Sequence, residues 1–215
     1  MAISHDPRGT APSEDHAGWL EVIVDGMTFD LSGLRPAPYI DAEVAEYFYD
    51  IGENVPSKVA AMPVVSGPHL AGAERTLPVV RGMMRAARHL CDAPGLIGVA
   101  WTPARSWMSV SYFGSVVDAW LAGGPFPALG LTSVKPVFDG GLQTEGLAYF
   151  IGQELRIEPE VAADRVAATR IAARLINSLV ESGPIDESMS VTGPDGERLS
   201  LSPSANGKFI RLKAG

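Results

Sequence analysis

Residues 138–158 (FDGGLQTEGLAYFIGQELRIE) constrain the fold of this chain more than any other stretch. Residues 139–141 predict a turn, because two consecutive glycines follow an aspartate. Thr144 predicts the N-cap of a short helix, and Glu145 is favourably placed at the positive end of that helix's dipole. Gly152 predicts the end of the helix. The stretch therefore reads as a turn followed by one short helix.

A strand over residues 154–158 and a long alanine-rich helix come next. Leu155 and Ile157 predict one face of the strand, because alternate residues share a face. Pro159 predicts the start of the helix and Gly183 predicts its end. The alanines would allow close approach to a sheet or to another helix. The predicted apolar side of the helix consists of Val166, Ile171, Leu175, Leu179 and Val180.

The rest of the chain mixes strands and helices, with a hairpin at each end. Asp25-Gly26 predicts a two-residue turn, because both central positions of such a turn need positive φ. It joins predicted strands at 19–24 and 27–31, and a loop at 193–196 joins strands at 188–192 and 197–201. Helices are predicted over 41–51, 73–91 and 108–121, a loop over 103–107, and further strands over 60–66, 96–101, 129–138 and 208–212. This order favours an α+β fold with a mixed or antiparallel sheet, helices packed on one face, and N-terminal and C-terminal hairpins.

Length and the polar N-terminus predict the domain organisation. A chain of 215 residues fits one large domain or two small ones. Residues 1–17 are polar and interrupted by proline and glycine, which predicts a flexible N-terminal arm. We expect residues 18–215 to form a single α+β domain, with a sub-boundary near residues 52–58.

Composition argues against several classes of protein. A net charge of −8 disfavours binding to nucleic acid, whose phosphates are also negative. No stretch approaches the roughly 18 apolar residues of a membrane span, and the N-terminus lacks the apolar run of a signal peptide. Cys91 is the only cysteine, so no intramolecular disulfide can form. We expect a soluble cytoplasmic protein that binds neither nucleic acid nor membrane.

The sequence contains no reaction or cofactor motif. G-x-S-x-G, G-x-G-x-x-G and the P-loop pattern are all absent. His69 and His89 lack the spacing that places two metal ligands on one helix face. Cys91 falls on the apolar side of a predicted helix, which is typical of a buried thiol. We therefore expect no cofactor and no metal.

A ligand-binding site is predicted where polar groups at strand and helix ends converge. The candidate ligand-binding residues are His69, Trp101, Thr144 and Glu145. The turn at 140–141 offers backbone donors to an anion, but Glu145 would repel a phosphate there. No catalytic residue is assigned.

The run Thr144-Glu145-Gly146-Leu147, followed by Gly152 and by residues 154–158, resembles the closing half of a bacterial domain family of unknown function. In that family a T-x-G-L element, a glycine and an acidic-apolar strand, here G-x-E-L-x-I-E, precede a long helix. The resemblance covers about residues 60–212. It implies an α/β sandwich and supplies no activity.

Two functions from different classes are expected. The leading one is a noncatalytic protein-interaction or self-associating module, such as a homodimer. It rests on the missing reaction motifs and on the aromatic residues Trp101, Trp107, Tyr112, Phe113 and Trp120. The alternative is a small-molecule binding protein or enzyme that uses the four candidate residues. A third option is a partner protein for another bacterial protein.

Overall fold

The computed structural model of the chain describes residues 1–5, 18–34, 38, 40–52, 58–194 and 196–215. Within these residues the fold is α+β, as predicted. The strands are β1 (Ala2–His5), β2 (Leu20–Val24), β3 (Met27–Leu31), β4 (Ile40–Asp41), β5 (Tyr47–Tyr49), β6 (Ala60–Ala61), β7 (Val64–Ser66), β8 (Val99–Trp101), β9 (Ser106–Met108), β10 (Ser133–Pro136), β11 (Leu142–Glu145), β12 (Glu154–Ile157), β13 (Met189–Thr192), β14 (Arg198–Pro203) and β15 (Phe209–Ala214). The helices are α1 (Leu77–Leu90), α2 (Val110–Leu121), α3 (Ala128–Leu131), α4 (Leu147–Ile151) and α5 (Arg165–Ser182).

The chain divides into two compact units. Unit 1 comprises Met1–Val44, Asp50–Val99 and Ser109–Ala122. Unit 2 comprises Ala45–Tyr49, Ala100–Met108 and Gly123–Gly215. The single domain expected over residues 18–215 stays a prediction, and most of the expected sub-boundary at 52–58 lies outside the described residues.

Unit 1 is built on an antiparallel sheet of order β1-β2-β3-β7, and α1 packs on it. The predicted N-terminal hairpin is confirmed, since Asp25 and Gly26 have φ values of 51° and 77° between β2 and β3. Helix α1 approaches the sheet closely at Gly82, where a Cβ atom would lie 2.6 Å from the Met27 methyl carbon. The buried face of the sheet consists of Val22, Val24, Phe29 and Leu31.

Unit 2 is built on a mixed sheet of order β10-β11-β12-β15-β14-β13. The predicted C-terminal hairpin is confirmed by the antiparallel pair β13–β14, and β15 pairs in parallel with β12. Leu155 and Ile157 on β12 are buried, and α5 contacts this strand. The two remaining side chains of β12, Glu154 and Arg156, therefore project from the other face. That other face carries the groove described below.

Two predicted elements are wrong. The helix expected over 41–51 is replaced by β4 and β5, because its aromatic residues at 47–49 pair in parallel with β9. The loop expected over 103–107 instead contains the 3-10 turn Thr102–Ala104 and then β9. In both places pairing with a distant strand overrides the local pattern.

Several predicted boundaries also differ from the structure, and the strand expected over 129–138 is shortened to β10, with α3 before it. Residues 2–5 of the expected N-terminal arm form β1, which pairs with β2, while residues 6–17 lie outside the described residues. Helix α5 begins at Arg165 rather than Pro159. Its N-cap is Asp164, whose Oδ1 accepts hydrogen bonds from the backbone N–H groups at 166 and 167 at 2.9 and 3.0 Å. Val166 is consequently 62% exposed and does not belong to the buried side of the helix.

A membrane span would need a long apolar helix. Among the described residues, no helix is both long and apolar enough to cross a bilayer.

Candidate functional site

The four candidate residues are divided between the two units. His69 lies in unit 1, in the 3-10 turn Pro68–Leu70, and its Nδ1 is 3.2 Å from the Thr28 hydroxyl. Trp101, Thr144 and Glu145 lie in unit 2. A binding site shared by all four therefore stays a prediction.

Trp101 is part of an aromatic cluster inside unit 2. The side chain is 7% exposed, meets Tyr149 edge-on at 5.2 Å between ring centroids, and stacks on Phe150 at 6.2 Å. The indole Nε1 is buried and has no hydrogen-bond partner within the described part of the chain. These contacts make Trp101 a packing residue for helix α4.

The aromatic residues between positions 101 and 120 do not form an exposed cluster. The exposed fraction is at most 8% for each of Trp101, Trp107, Phe113 and Trp120, which leaves half-buried Tyr112 as the one partly exposed ring of the five. Large buried rings stabilise a core and cannot anchor a partner. The observation that favoured a protein-contact surface in this segment is therefore removed.

Thr144 lies within β11 and does not cap a helix, contrary to the prediction. Its hydroxyl donates to Glu154 Oε2 at 2.5 Å and accepts from the Leu155 backbone N–H at 2.7 Å. The cap position of α4 is taken by Gly146, which has a φ of 96°. A Cβ there would lie 2.8 Å from the Ala104 Cβ. Both the positive φ and the lack of space therefore require glycine.

Glu154 supplies the carboxylate at the start of α4. It accepts hydrogen bonds from the backbone N–H groups of Gly146, Leu147 and Ala148 at 3.0 to 3.2 Å. Burial raises the pKa of this carboxyl, and the bonds from Thr144 and the helix backbone oppose that rise. The sequence predicts an acidic residue near this helix start, but the acid comes from the following strand and is not Glu145.

Glu145 is the centre of a polar cluster at the edge of unit 2. Its Oε2 accepts hydrogen bonds from Lys135 Nζ at 2.7 Å and from the Tyr47 hydroxyl at 3.2 Å. Arg105 lies 3.9 Å from Oε1 and also pairs with Glu46 at 2.7 Å. Burial and the Glu145 charge raise the pKa of Tyr47, so the phenol stays protonated and donates. The charges in this cluster already compensate one another.

A groove of about 470 Å³ lies on the sheet of unit 2. Its floor is a row of three side chains on neighbouring strands, since Gln143 pairs with Arg156 and Arg156 pairs with Arg211. Asp139, from the turn after β10, lines one end. Asn206, from the turn between β14 and β15, lines the other end.

The carboxylates around the groove are already bound by the protein. Asp139 accepts from the Gly141 N–H at 3.1 Å through Oδ1 and contacts Arg156 through Oδ2. These contacts hold the pKa of Asp139 below its ordinary value, and the hydrogen bond from Gly141 has the largest effect. Glu158 is buried and accepts from Arg211 Nε at 2.5 Å. Both carboxylates are thus bound by groups of the protein.

Donor groups remain available in the groove. The Arg211 side chain is 46% exposed, and its bond to Glu158 uses Nε, which leaves the terminal nitrogens for a ligand. Asn206 Oδ1 accepts from the Ser204 hydroxyl and from the Lys208 N–H, at 2.8 and 3.1 Å. The Asn206 amide nitrogen is therefore the group of this side chain left to donate. A groove in which both nearby carboxylates are bound and these donors remain available suits an anion.

None of the residues that line this groove is among the four predicted site residues. Arg156 and Arg211 are 55 positions apart in the sequence (211 minus 156). They become neighbours through the parallel pairing of β12 with β15. The one available signal is alternation, since each lies between buried apolar neighbours on its strand. Alternation predicts that the side chain leaves the core, but it does not predict which cation lies beside it.

The structure and the comparisons give no established class for the site. Among the described residues, no group of three His, Cys, Asp or Glu side chains could hold a metal ion. Comparisons with protein-family models, curated proteins and solved structures find no match to this chain.

Proposed function

We propose that this chain is a small-molecule binding protein that holds a ligand with an anionic group in the groove of unit 2. The single observation that supports the proposal is the arrangement of Arg211, which lines the groove, is half-exposed and is bound by buried Glu158 through Nε alone of its three guanidinium nitrogens among the described contacts. A guanidinium presented in this way matches a carboxylate or phosphate in two parallel hydrogen bonds.

A panel of anions tests this proposal by thermal shift. Acetate, benzoate, succinate and inorganic phosphate are compared at equal ionic strength with the wild-type protein, Arg211→Met and Arg174→Met. Arg174 is an exposed residue of α5 and controls for loss of one positive charge. At least one anion should stabilise the wild type and the control but not Arg211→Met. A panel that shifts all three proteins equally would refute a site at Arg211.

Self-association is a second candidate function, favoured by the exposed edge strand β13. This strand is the last in its sheet, and Met189 is 49% exposed. An exposed edge can pair with the same edge of a second copy to give a homodimer. Light scattering at high micromolar concentration tests this candidate, with Met189→Lys as the disrupting variant. A strict monomer for the wild type would eliminate it.

The cytoplasmic location also belongs to this proposal. It is supported by the single cysteine and by an acidic surface that disfavours nucleic acid. The bacterial family of unknown function remains a proposed relationship, supported by the segment from Thr144 to Glu158.

A further inference from the structure

We infer that the ligand of the groove is a small aromatic monocarboxylate, in which an aromatic ring and a carboxylate are joined by a short flexible chain. This inference rests on the proposed function, because it assigns a chemical class to the ligand of the same groove. It is carried by three features of the lining: the one available guanidinium, the aromatic residue and the spacing between the two.

The charges around the groove favour a ligand with no more than one negative charge. Arg156 and Arg211 contribute two positive charges, and their carboxylate partners Asp139 and Glu158 contribute two negative charges, so no excess positive charge remains. Arg156 is occupied by Asp139, and its side chain is only 14% exposed. One guanidinium is therefore available, and a single carboxylate satisfies it. A second negative charge on the ligand would face Asp139 without a partner.

Phe209 supplies the aromatic surface of the groove. It lines the groove and is half-buried, two residues before Arg211 on β15. Side chains two apart on a strand project from the same face. A ring of the ligand can pack on Phe209 while the carboxylate reaches Arg211, and aromatic pairs gain free energy beyond the area that they bury.

The strand geometry sets the spacing of the two residues that make these contacts. The Cα atoms of residues two apart on a strand are separated by about 7 Å. We infer a comparable separation between the ring and the carboxylate of the ligand. Benzoate, in which the carboxylate is attached directly to the ring, is too short to make both contacts. A linker of two or three methylene groups brings the two ends close to the required separation.

Asn206 adds a further donor beside this pair. Its carbonyl oxygen is held inside the turn, and Asn206 lines the groove together with Phe209 and Arg211, so its amide nitrogen is a donor left for the ligand. The carboxylate can therefore receive hydrogen bonds from a guanidinium and from an amide. A neutral alcohol or a primary ammonium of the same length receives neither set of bonds in full, because the available groups are donors.

Calorimetric titration of the full chain with a homologous series tests the inference. The probes are benzoate, phenylacetate, 3-phenylpropanoate and 4-phenylbutanoate, with 3-phenylpropanol as the neutral control. Affinity should rise from benzoate to the two longest acids. It should fall by about tenfold or more in Arg211→Met, as expected for loss of a charged hydrogen bond, and remain unchanged in Arg174→Met. Phe209→Leu keeps an apolar side chain at this position. It should remove the gain in affinity that comes from packing the ring of the ligand on Phe209.

The outcomes separate this inference from the proposed function. Equal binding of benzoate and the longer acids, or equal binding of 3-phenylpropanol, would overturn the inferred ligand class. If succinate or inorganic phosphate binds and Arg211→Met abolishes that binding while the aryl acids fail, the ligand class is wrong and the anion site stands. If no anion binds in a manner sensitive to Arg211→Met, both are wrong. Circular dichroism of each variant confirms that it is folded.

Discussion

Arg156 and Arg211 lie directly beside each other across the parallel pair β12–β15, and a different carboxylate holds each guanidinium. Asp139 contacts Arg156, and Glu158 contacts Arg211 at 2.5 Å. Like charges on neighbouring strands are unfavourable by themselves. The two carboxylates offset that repulsion and orient both cations at the groove. This arrangement is the basis of the proposed site and of the first prediction.

Glu158→Gln should destabilise the fold, because the buried partner of Arg211 loses its charge while Arg156 remains adjacent. We expect a loss of about 1 to 2 kcal/mol in the free energy of unfolding, limited by the exposure of Arg211. Urea denaturation measures this change. The exposed Glu181 of α5 supplies the control Glu181→Gln, for which little change is expected.

A double-mutant cycle identifies the pair responsible for that loss. Glu158→Gln combined with Arg211→Met should cost less than the sum of the two single changes, because the interaction is removed only once. Additive effects would contradict the pairing of Glu158 with Arg211.

Thr144→Val should also destabilise the protein. The substitution keeps the shape of the side chain but removes the hydroxyl between Glu154 and the Leu155 N–H. Leaving two buried groups without this partner should cost about 1 to 3 kcal/mol in the free energy of unfolding. The hydroxyl of Thr169 donates to the Arg165 carbonyl oxygen of its own helix at 2.8 Å, so Thr169→Val is a matched control. Equal losses for the two variants would show that the Thr144 hydroxyl has no special role.

The pH dependence of stability should contain a contribution from Glu154. Its pKa is raised in the folded state by burial, so the folded protein holds this proton more strongly than the unfolded chain does. The stabilisation is complete below the ordinary pKa of 4.5 and is lost as pH rises through the higher folded value. The difference in unfolding free energy between wild type and Glu154→Gln should therefore decrease from pH 4 upward. A difference that increases over this range would contradict the raised pKa.

Gly146→Ala should be far more damaging than Gly152→Ala. Both glycines have positive φ, at 96° and 77°, so both substitutions introduce backbone strain. Only at Gly146 would the new Cβ collide, 2.8 Å from the Ala104 Cβ, whereas nothing lies within 4 Å at Gly152. We expect losses in unfolding free energy of about 3 kcal/mol or more and about 1 kcal/mol, respectively, by thermal or chemical denaturation. Equal losses would show that contact with Ala104 is unimportant.

Local chemistry predicts much of the fold. Asp25-Gly26 requires positive φ at both positions and gives the N-terminal hairpin. Thr76 precedes α1 with a proline in its first turn, and Gly183 ends α5, as their residue types indicate. Leu155 and Ile157 are buried together, as their alternation predicts. In each case the determining residues are neighbours in the sequence.

Pairing between distant segments accounts for the failures. The segment 41–51 has apolar residues at helical spacing, but its residues 47–49 form a strand. That strand pairs in parallel with β9, which lies far along the chain. Thr144 has the residue type of a helix cap, yet its strand pairs with β10 and its hydroxyl serves Glu154. The groove depends entirely on such pairing, because its floor combines residues from three strands. No local pattern states that Arg156 and Arg211 will be adjacent.

Binding of an aromatic monocarboxylate in the groove through Arg211 can be measured by titrating the 15N-labelled protein with 3-phenylpropanoate and following the amide chemical shifts. We expect saturable shifts at the residues of the groove, around Gln143, Arg156, Asn206 and Arg211, and their loss in Arg211→Met. Shifts that are confined to unit 1, or that persist unchanged in Arg211→Met, would contradict it.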